Sequence, residues 1–172
     1  MQFIPTKIPD VILVEVTKFG DHRGFFMETY HAEKFSAAGI SATFIQDNHA
    51  SSQKNILRGL HYQLKFPQGK LIRCIQGEIL DIVVDIRRSS STFGEWVGEI
   101  LSSENAKQLY VPPGFAHGYV VRSEQAEVEY KCTELYYPED DYGILWNDPE
   151  IGIDWGIESP ILSEKDKQQP LL

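Results

Sequence analysis

The sequence predicts an all-β sandwich or barrel, and two observations favour that fold class. Segments rich in Val, Ile, Tyr and Phe recur at intervals of about 8–15 residues between turn-forming residues, as in sandwiches and barrels. No fixed-period repeat, low-complexity tract or Gly/Ser linker interrupts the 172 residues, so we expect residues 1–172 to form a single domain. The predicted strands are 11–16, 24–30, 43–48, 59–63, 71–75, 79–86, 97–101, 108–111, 118–122 and 128–134.

The clearest local strand pattern surrounds Gly77. Two β-rich runs, 70–76 and 78–86, are joined by a short turn that contains this glycine, which predicts a β-hairpin. Side chains alternate between the two faces of a strand. In the second run this places Leu80, Ile82, Val84 and Ile86 on one face and Asp81, Val83 and Asp85 on the other.

Helix is predicted at two places only. Residues 32–38 form a short helical pattern that Gly39 ends. Near the C-terminus, Ser163 precedes acidic residues as a helix N-cap would, which indicates a last helical turn. The expected fold is therefore a β structure with short peripheral helices.

The composition limits the partners of this protein. Its formal net charge of −9 argues against broad binding to nucleic acid or to an anionic membrane, because such binding requires clustered positive charge. The first ten residues contain two prolines and no apolar run long enough for a signal peptide, and no stretch approaches a membrane span. We expect a cytoplasmic protein in which Cys74 and Cys132 are reduced core thiols, with a disulfide as the alternative.

Two short motifs resemble the metal-binding motifs of the cupin superfamily, whose fold is a double-stranded β-helix or jelly-roll barrel. His61-Tyr-Gln63 stands at the HxH of the first motif, and Lys70 lies near the position of its glutamate. Pro112-Pro-Gly-Phe-Ala-His117 fits the second motif. Only two of the four ligands remain, and an ammonium group replaces a carboxylate, so we expect no bound metal. A fixed lysine could instead stabilise a developing oxyanion, as a Lewis acid would.

A base, a cation and an acid without a cofactor suit proton abstraction beside a carbonyl group. A histidine such as His61 can be the base because the pKa of a free imidazole, about 6.5, lies near working pH. Lys70 can hold an enolate oxygen, and an acid on the other side of the carbon can return the proton. Tyr130 is the candidate acid, because apolar and charged residues alternate over 126–132 and place its side chain in the barrel interior. The predicted reaction is an epimerisation.

Each of these residues also has a structural interpretation. Tyr130 could be a core tyrosine bonded to a backbone carbonyl, and His61 a satisfied structural histidine. His117 could cap a turn, and Lys70 could be a solvated strand end. Their coincidence with a motif, rather than their individual identity, favours a function.

Two arginines are candidates to bind an anionic ligand. Arg23 lies among glycine and aromatic residues, although it could equally be a surface charge. In a regular strand Arg58 and His61 would face opposite sides, but a bulge at Gly59 would bring both to one pocket. The arginines at 87–88 stand at a strand exit and are expected to be solvated.

Taken together, these residues resemble the family of dTDP-4-dehydrorhamnose 3,5-epimerases, which are cofactor-independent cupins. The similarity spans nearly the whole chain, and several motifs occur in the family's order. They are Asp21-His-Arg-Gly-Phe-Phe26, Phe44-Ile-Gln-Asp-Asn48, Leu57-Arg-Gly-Leu-His-Tyr-Gln63, Gln68-Gly-Lys-Leu71, Ser91-Thr-Phe-Gly94, Val111-Pro-Pro-Gly-Phe-Ala-His-Gly118, Tyr130-Lys131, Leu145-Trp-Asn-Asp148, Ile151-Gly-Ile-Asp-Trp155 and Leu162-Ser-Glu-Lys-Asp166.

The resemblance implies a dTDP-4-keto-6-deoxy sugar as the substrate, with inversion at C3 and C5 and with no cofactor or metal. On this pattern His61 is the base, Asp166 orients its imidazole, Lys70 meets the enolate oxygen and Tyr130 donates a proton on the opposite face. Asp166 rests on the resemblance alone, because its segment otherwise indicates a helix cap. The residues implied around the nucleotide or sugar are Arg23, Glu28, Gln46, Asp47, Asn48, Arg58, His117, Asp141 and Lys165. A homodimer is also implied, in which residues 23–28 reach the partner subunit's site.

One segment departs from the family pattern. After Tyr137 the sequence reaches Asp141-Tyr142, where many relatives have Glu-Arg; Asp141 is a shorter carboxylate, and Tyr142 replaces a cation. The packing of Tyr136 is a further feature that could set the relative extent of epimerisation at C3 and at C5. The alternatives are an epimerase that acts on one carbon, a 3,4-ketoisomerase, a non-catalytic cupin that binds a sugar nucleotide, and a metal-dependent enzyme.

Overall fold

The computed structural model describes residues 1–172 and confirms the all-β prediction. Its strands are β1 Gln2–Pro5, β2 Ile12–Glu15, β3 Lys18–Asp21, β4 Gly24–Met27, β5 Gln46–Gln53, β6 Leu57–Gln63, β7 Lys70–Gln76, β8 Glu78–Asp85, β9 Trp96–Ser102, β10 Gln108–Val111, β11 Phe115–Val121, β12 Gln125–Cys132 and β13 Asp141–Gly143. The helices are α1 Ala32–Ala37 and α2 Glu164–Lys167, with one 3₁₀ turn at Pro138–Asp140.

The strands form two antiparallel sheets and a separate hairpin. The larger sheet has the order β1-β2-β10-β7-β12-β5, and the smaller has the order β13-β6-β11-β8-β9. Strands β3 and β4 pair only with each other. No helix of the protein is long and apolar enough to cross a membrane.

The main core lies between the two sheets. Ile72 of the larger sheet and Val83 of the smaller belong to one buried apolar cluster, while Ile82 and Trp155 belong to another. Neighbouring residues of β8 therefore face different cores, which confirms the predicted alternation in this strand. The second cluster covers the outer face of the smaller sheet with the C-terminal segment.

The predicted hairpin at Gly77 is wrong. Strand β7 pairs with β10 and β12 in the larger sheet, whereas β8 pairs with β9 and β11 in the smaller one. Gly77 has a φ of 74°, and a Cβ atom there would lie 2.1 Å from the carbonyl oxygen of Gln125. Only glycine permits this sharp bend, at which the chain passes from one sheet to the other instead of turning back within a sheet.

Several strand limits also differ from the predictions. The predicted strand 43–48 is observed as Gln46–Gln53, because β5 pairs with β12 along its whole length although nearly all of its residues are polar. Strands β11 and β12 begin three residues earlier than predicted. The short strands β1, β3 and β13 were not predicted, since runs of three or four residues give little periodicity.

Both short helices lie where they were predicted. Helix α1 ends at Ala37, and Gly39 follows it with a φ of 86°. In α2 the side chain of Ser163 accepts a hydrogen bond from the backbone nitrogen of Asp166, as an N-cap does. Cys74 and Cys132 are buried and free, which confirms the prediction of unpaired core thiols.

Candidate active site

Most of the predicted site residues line two cavities between the sheets, of about 430 and 260 Å³. His61, Lys70 and Tyr130 form part of the wall of both. The larger cavity is also lined by Arg58, His117, Tyr119, Ser163, Lys165 and Asp166, and the smaller by Gln46, Asn48, Tyr62, Gln63, Gln68, Tyr136 and Asp141. The three side chains predicted to transfer protons or stabilise charge therefore lie together.

A third hollow, of about 260 Å³, lies on the outer face of the larger sheet. Its charged side chains are already paired: Arg73 with Glu129 at 2.6 Å, and Lys131 with Asp47 at 3.0 Å. A ligand that binds a surface charge must replace the charge's present partner, so it gains little free energy. The interior cavities are the better candidate site.

A bulge in β6 brings Arg58 and His61 to the same cavity. Between the pairs His117–His61 and Tyr119–Arg58, one residue of β11 opposes two residues of β6, which shows the extra residue. Gly59 at this point has a φ of 123°, and a Cβ atom there would lie 2.6 Å from the Cα atom of Gly118. The glycine thus permits both the bulge and the close approach of the two strands.

His61 is held by a carboxylate from the C-terminal segment. Its Nε2 atom lies 2.6 Å from Oδ1 of Asp166, whose side chain is only 5% exposed. Burial by itself raises the pKa of Asp166, but the hydrogen bond and the electrostatic interaction with His61 outweigh burial and hold the pKa below the ordinary value. Because Nε2 is engaged, Nδ1 is the ring nitrogen left for a ligand.

Lys70 is a buried cation without a partner. It lies at the start of β7, only 8% of the residue is exposed, and no hydrogen bond or ion pair involves its ammonium group. Burial lowers its pKa, and the nearby Cys132, Asp141 and Asp81 oppose that shift. An unpaired ammonium group at the wall of a cavity is arranged to receive an anionic oxygen.

Tyr130 lies on the inner face of β12, as the alternation predicted. Ala126, Val128 and Cys132 on the same face are buried, and Tyr130 packs against the main core. Burial raises the pKa of Tyr130 to about 12. Its phenol therefore keeps its proton at neutral pH and can donate it.

A second histidine–carboxylate pair lies beside the first. Nε2 of His117 is 2.9 Å from Oδ1 of Asp81, and both residues are buried. His117 does not cap a turn, which was one of the two interpretations of the sequence. Asp81 was not predicted as a site residue, although its place on one face with Val83 was a usable signal: a carboxylate on a buried face needs a partner.

The positions of the cupin metal ligands do not form a metal site here. Gln63 donates from its amide to the carbonyl oxygens of Phe66 and Leu135, and its oxygen accepts from the backbone nitrogen of Tyr137. This side chain joins two loops at the cavity wall and has no donor atom free for a metal. With Lys70 at the position of the acidic ligand, the remaining residues do not fit a metal ion.

Polar side chains surround the smaller cavity. Gln46 donates from its amide to Oδ1 of Asn48 at 3.0 Å. Lys165 pairs with Asp141 at 2.5 Å, and the hydroxyl group of Tyr136 donates to the same carboxylate at 3.0 Å. The departure from the family pattern thus leaves Asp141 in contact with the predicted binding residue Lys165.

Three predicted binding residues do not line these cavities within one chain. Arg23 lies in the exposed turn of the β3–β4 hairpin and pairs with Asp21, and Glu28 pairs with Lys34. Asp47 is on the outer face of the larger sheet, because residues of β5 alternate. Tyr142 does not line either cavity, but it stacks on Tyr62 of the smaller cavity wall with the ring centroids 5.8 Å apart.

The fold and the site define an acid–base protein of the cupin type, with a histidine–carboxylate pair, a free ammonium group and a buried phenol around one space. The family model described as dTDP-4-dehydrorhamnose 3,5-epimerase matches residues 5–172. The chain is 55% identical over 163 residues to the dTDP-4-dehydrorhamnose 3,5-epimerase of Pseudomonas aeruginosa, with 94% of this chain and 90% of the relative covered. The chain belongs to the dTDP-4-dehydrorhamnose 3,5-epimerase family.

Solved structures agree with this assignment. The dTDP-6-deoxy-D-glucose-3,5-epimerase of Legionella pneumophila, in complex with dTDP-4-keto-L-rhamnose, is 46% identical and has a TM-score of 0.96, covering 99% of this chain and 92% of that one. The dTDP-4-dehydrorhamnose 3,5-epimerase of Bacillus anthracis, with TDP and PPi bound, is 45% identical with a TM-score of 0.96, covering 99% of both chains.

Proposed function

We propose that this protein is a carbohydrate epimerase that converts dTDP-4-dehydro-6-deoxy-D-glucose to dTDP-4-dehydro-L-rhamnose, using His61 as base, Lys70 as oxyanion partner and Tyr130 as acid. The observation that carries the proposal is that these three side chains share the walls of both interior cavities. The bound dTDP-4-keto-L-rhamnose of the Legionella pneumophila relative is the product of this reaction and supports a dTDP-4-keto sugar as the ligand. Both inverted carbons, C3 and C5, flank the C4 ketone, so each proton can be removed through an enolate.

In the first step His61 removes the proton from C3 or C5. The contact between Nε2 and Asp166 makes Nε2 the protonated nitrogen and leaves a lone pair on Nδ1. After proton transfer the imidazole is positive, and the buried carboxylate stabilises that charge. Asp166 therefore acts on the base by orienting it and by stabilising its charged form.

Lys70 stabilises the enolate that forms. Negative charge moves from the carbon to the C4 oxygen, and an ammonium group already placed at the cavity wall needs no reorganisation to meet it. Burial lowers the pKa of Lys70. An oxyanion bound beside the lysine favours its charged form and gives the ammonium group a partner that no protein side chain supplies.

Tyr130 returns a proton to the opposite face of the carbon, which inverts the configuration. It lies on β12, in the larger sheet, whereas His61 lies on β6 in the smaller one. A sugar ring between the sheets would thus have the base on one side and the acid on the other. Separate groups for removal and return of the proton are what epimerisation requires.

We further propose that the nucleotide is bound by the polar residues around the two cavities. Their chemistry suits it: the planar guanidinium group of Arg58 can pair with two diphosphate oxygens at once. Gln46, Asn48, His117, Asp141 and Lys165 supply the remaining hydrogen-bonding groups of this set.

A homodimer is proposed to complete each site. The β3–β4 hairpin exposes Phe19, Phe25 and Phe26, at 63%, 59% and 71%, which is unusual for a surface in water. A second copy that covers this hairpin would bring Arg23 and Glu28 to the other subunit, as the family pattern implies. A cytoplasmic location and one domain for residues 1–172 stay predictions.

The proposal is tested by incorporation of deuterium from solvent during turnover of the 4-keto sugar. Label at both C3 and C5 is expected, and label at C3 alone would instead indicate an epimerase that acts on one carbon. His61→Asn should abolish turnover, because it removes the base. The matched control is His49→Asn, an exposed histidine that pairs with Glu127 and lines neither interior cavity, which should turn over normally. Normal turnover by His61→Asn would refute the proposed base.

Tyr130→Phe separates the two proton transfers. We expect it to retain exchange of the substrate proton with solvent and to lose inversion at one or both carbons, because the base is intact and the acid is missing. The measurement is deuterium exchange and product configuration in one reaction, by NMR. An equal loss of exchange and inversion would contradict the division of roles between His61 and Tyr130.

A further inference from the structure

Tyr119 is a buried residue of the larger cavity that neither the mechanism nor the predicted binding set uses. It is 4% exposed, lies on the inner face of β11 two residues after His117, and forms part of the cavity wall. Its hydroxyl group is fully buried and has no hydrogen-bond partner. Buried polar groups nearly always have a partner, so an unpaired one at a cavity wall points to a ligand.

The surroundings of this hydroxyl group indicate which ligand atom it meets. Burial raises the pKa of the Tyr119 phenol, and the nearby Arg58 and Ser52 lower it. The side chain of Ser52 lies beside the phenol, and its Oγ atom already accepts a hydrogen bond from Nε of Arg58 at 2.9 Å. The free donor therefore lies next to the arginine that we propose for the diphosphate.

We propose that Tyr119 donates a hydrogen bond to a diphosphate oxygen of the bound sugar nucleotide, beside Arg58. The proposal rests on the proposed function, because that assigns the diphosphate to Arg58. A neutral phenol adds a donor without adding charge, and a hydrogen bond to a charged oxygen is stronger than one to a neutral group. Tyr119 would thus set affinity for the nucleotide and take no part in proton transfer.

A binding role and a structural role of the Tyr119 hydroxyl group predict different effects of Tyr119→Phe on the melting temperature of the ligand-free protein. If the hydroxyl group has no partner in the free protein, removing it leaves the ligand-free melting temperature unchanged or raises it. If the hydroxyl group supports the fold, its removal lowers that temperature. If the hydroxyl group binds the diphosphate, its removal should weaken TDP binding about tenfold and raise KM with kcat unchanged, because the contact exists equally in the ground and transition states.

The experiment is calorimetric titration of TDP into the wild type, Tyr119→Phe, Tyr110→Phe and Arg58→Gln, with melting curves of each ligand-free protein. Tyr110 is also buried, but it packs in a separate cluster and lines neither cavity, so Tyr110→Phe should bind TDP as the wild type does. We expect weaker binding in Tyr119→Phe without a lower melting temperature. Unchanged TDP affinity, or a clear drop in melting temperature, overturns the inference.

Arg58→Gln separates failure of this inference from failure of the proposed function. If Arg58→Gln weakens TDP binding and Tyr119→Phe does not, only the role of Tyr119 is wrong. If neither variant weakens it, the diphosphate does not bind at this wall, and the proposed binding set is wrong as well.

Discussion

Two buried charges of this protein, Lys70 and Asp85, have opposite surroundings. Asp85 is fully buried at the end of β8 and accepts hydrogen bonds from the backbone nitrogen, Nε and Nη2 of Arg87, from Ser90 and from Thr92. Lys70 at the start of β7 is 8% exposed and has no partner. The carboxylate of Asp85 has its hydrogen-bond partners within the fold, whereas the ammonium group of Lys70 has none there.

The difference separates a buried charge that stabilises the fold from one that we propose for catalysis. Burial raises the pKa of Asp85, but its hydrogen bonds from Arg87, Ser90 and Thr92 outweigh burial and hold the pKa far below the ordinary range. At Lys70 the nearby Cys132, Asp141 and Asp81 only partly offset burial, and the pKa stays lowered. A buried charge whose hydrogen bonds are complete fixes a loop, whereas an incomplete one costs stability and gains its partner from the substrate.

Lys70→Met should give the largest effect on activity. It removes the oxyanion partner and should lower kcat/KM by about 10²–10³-fold. The same change should raise the melting temperature, because an apolar side chain of similar length replaces a buried charge that lacks a partner. Steady-state kinetics and thermal melts measure the two effects.

Lys107→Met is the matched control for that variant. Lys107 is paired with Glu15 at 3.2 Å and is partly exposed, so its loss should leave kcat/KM unchanged and alter stability by less than about 1 kcal/mol. A destabilised Lys70→Met protein would mean that the lysine supports the fold, contrary to the comparison.

Asp85→Asn should have the opposite pair of effects, with a loss of stability and normal activity. An amide nitrogen would face the donors of Arg87, Ser90 and Thr92, so we expect a loss of about 3 kcal/mol in the free energy of unfolding. The residue lies outside both cavities, and kcat per folded molecule should therefore stay normal. Urea denaturation and turnover at low temperature measure this; reduced kcat in a fully folded Asp85→Asn protein would contradict the separation.

The sequence could predict features of the site that depend on residues close together in the chain. Period-two alternation was enough to place Tyr130 in the interior, and the spacing of Arg58 and His61 around Gly59 suggested the bulge at that glycine. Both depend on neighbours in the chain. Asp166 lies 105 residues from His61, so their contact followed only from the resemblance to a family.

The wrong or missing predictions have a common physical origin, because each of these features depends on residues outside the local segment. The two strands joined at Gly77 look like a hairpin because the turn is local, but their partners are strands far along the chain. Arg87 was expected to be solvated, yet it pairs with Asp85 and Asp10, and the ring of Phe115 lies 4.4 Å beneath its guanidinium carbon. Asp81 was placed on the correct face but was not matched to His117, since pairing across strands needs the register.

The pH dependence of kcat/KM should report the lowered pKa of Lys70. As pH rises through that pKa the ammonium group loses its charge, and activity should fall tenfold per pH unit, beginning below the ordinary lysine value of about 10.4. Tyr130, with a pKa of about 12, keeps its proton over this range. Lys70→Arg, whose charge persists, should move the fall in its residual activity to higher pH. A fall at the same pH in both proteins would assign it to another group.

Thr92→Val should give the smallest effect. It removes one of the hydrogen bonds to Asp85, at 2.6 Å, and leaves those of Arg87 and Ser90 in place. We expect a loss of about 1 kcal/mol in the free energy of unfolding, measured by urea denaturation, and unchanged kcat.

Ser91→Ala provides the control for Thr92→Val, because Ser91 is the exposed neighbour in the same loop and should have no measurable effect on unfolding. If Thr92→Val cost as much as Asp85→Asn, the cluster would behave as one indivisible unit. If it cost nothing, the hydrogen bonds to Asp85 would be redundant. An intermediate loss means that the buried carboxylate of Asp85 is stabilised by separable contacts, whereas Lys70 has no such contact within the protein.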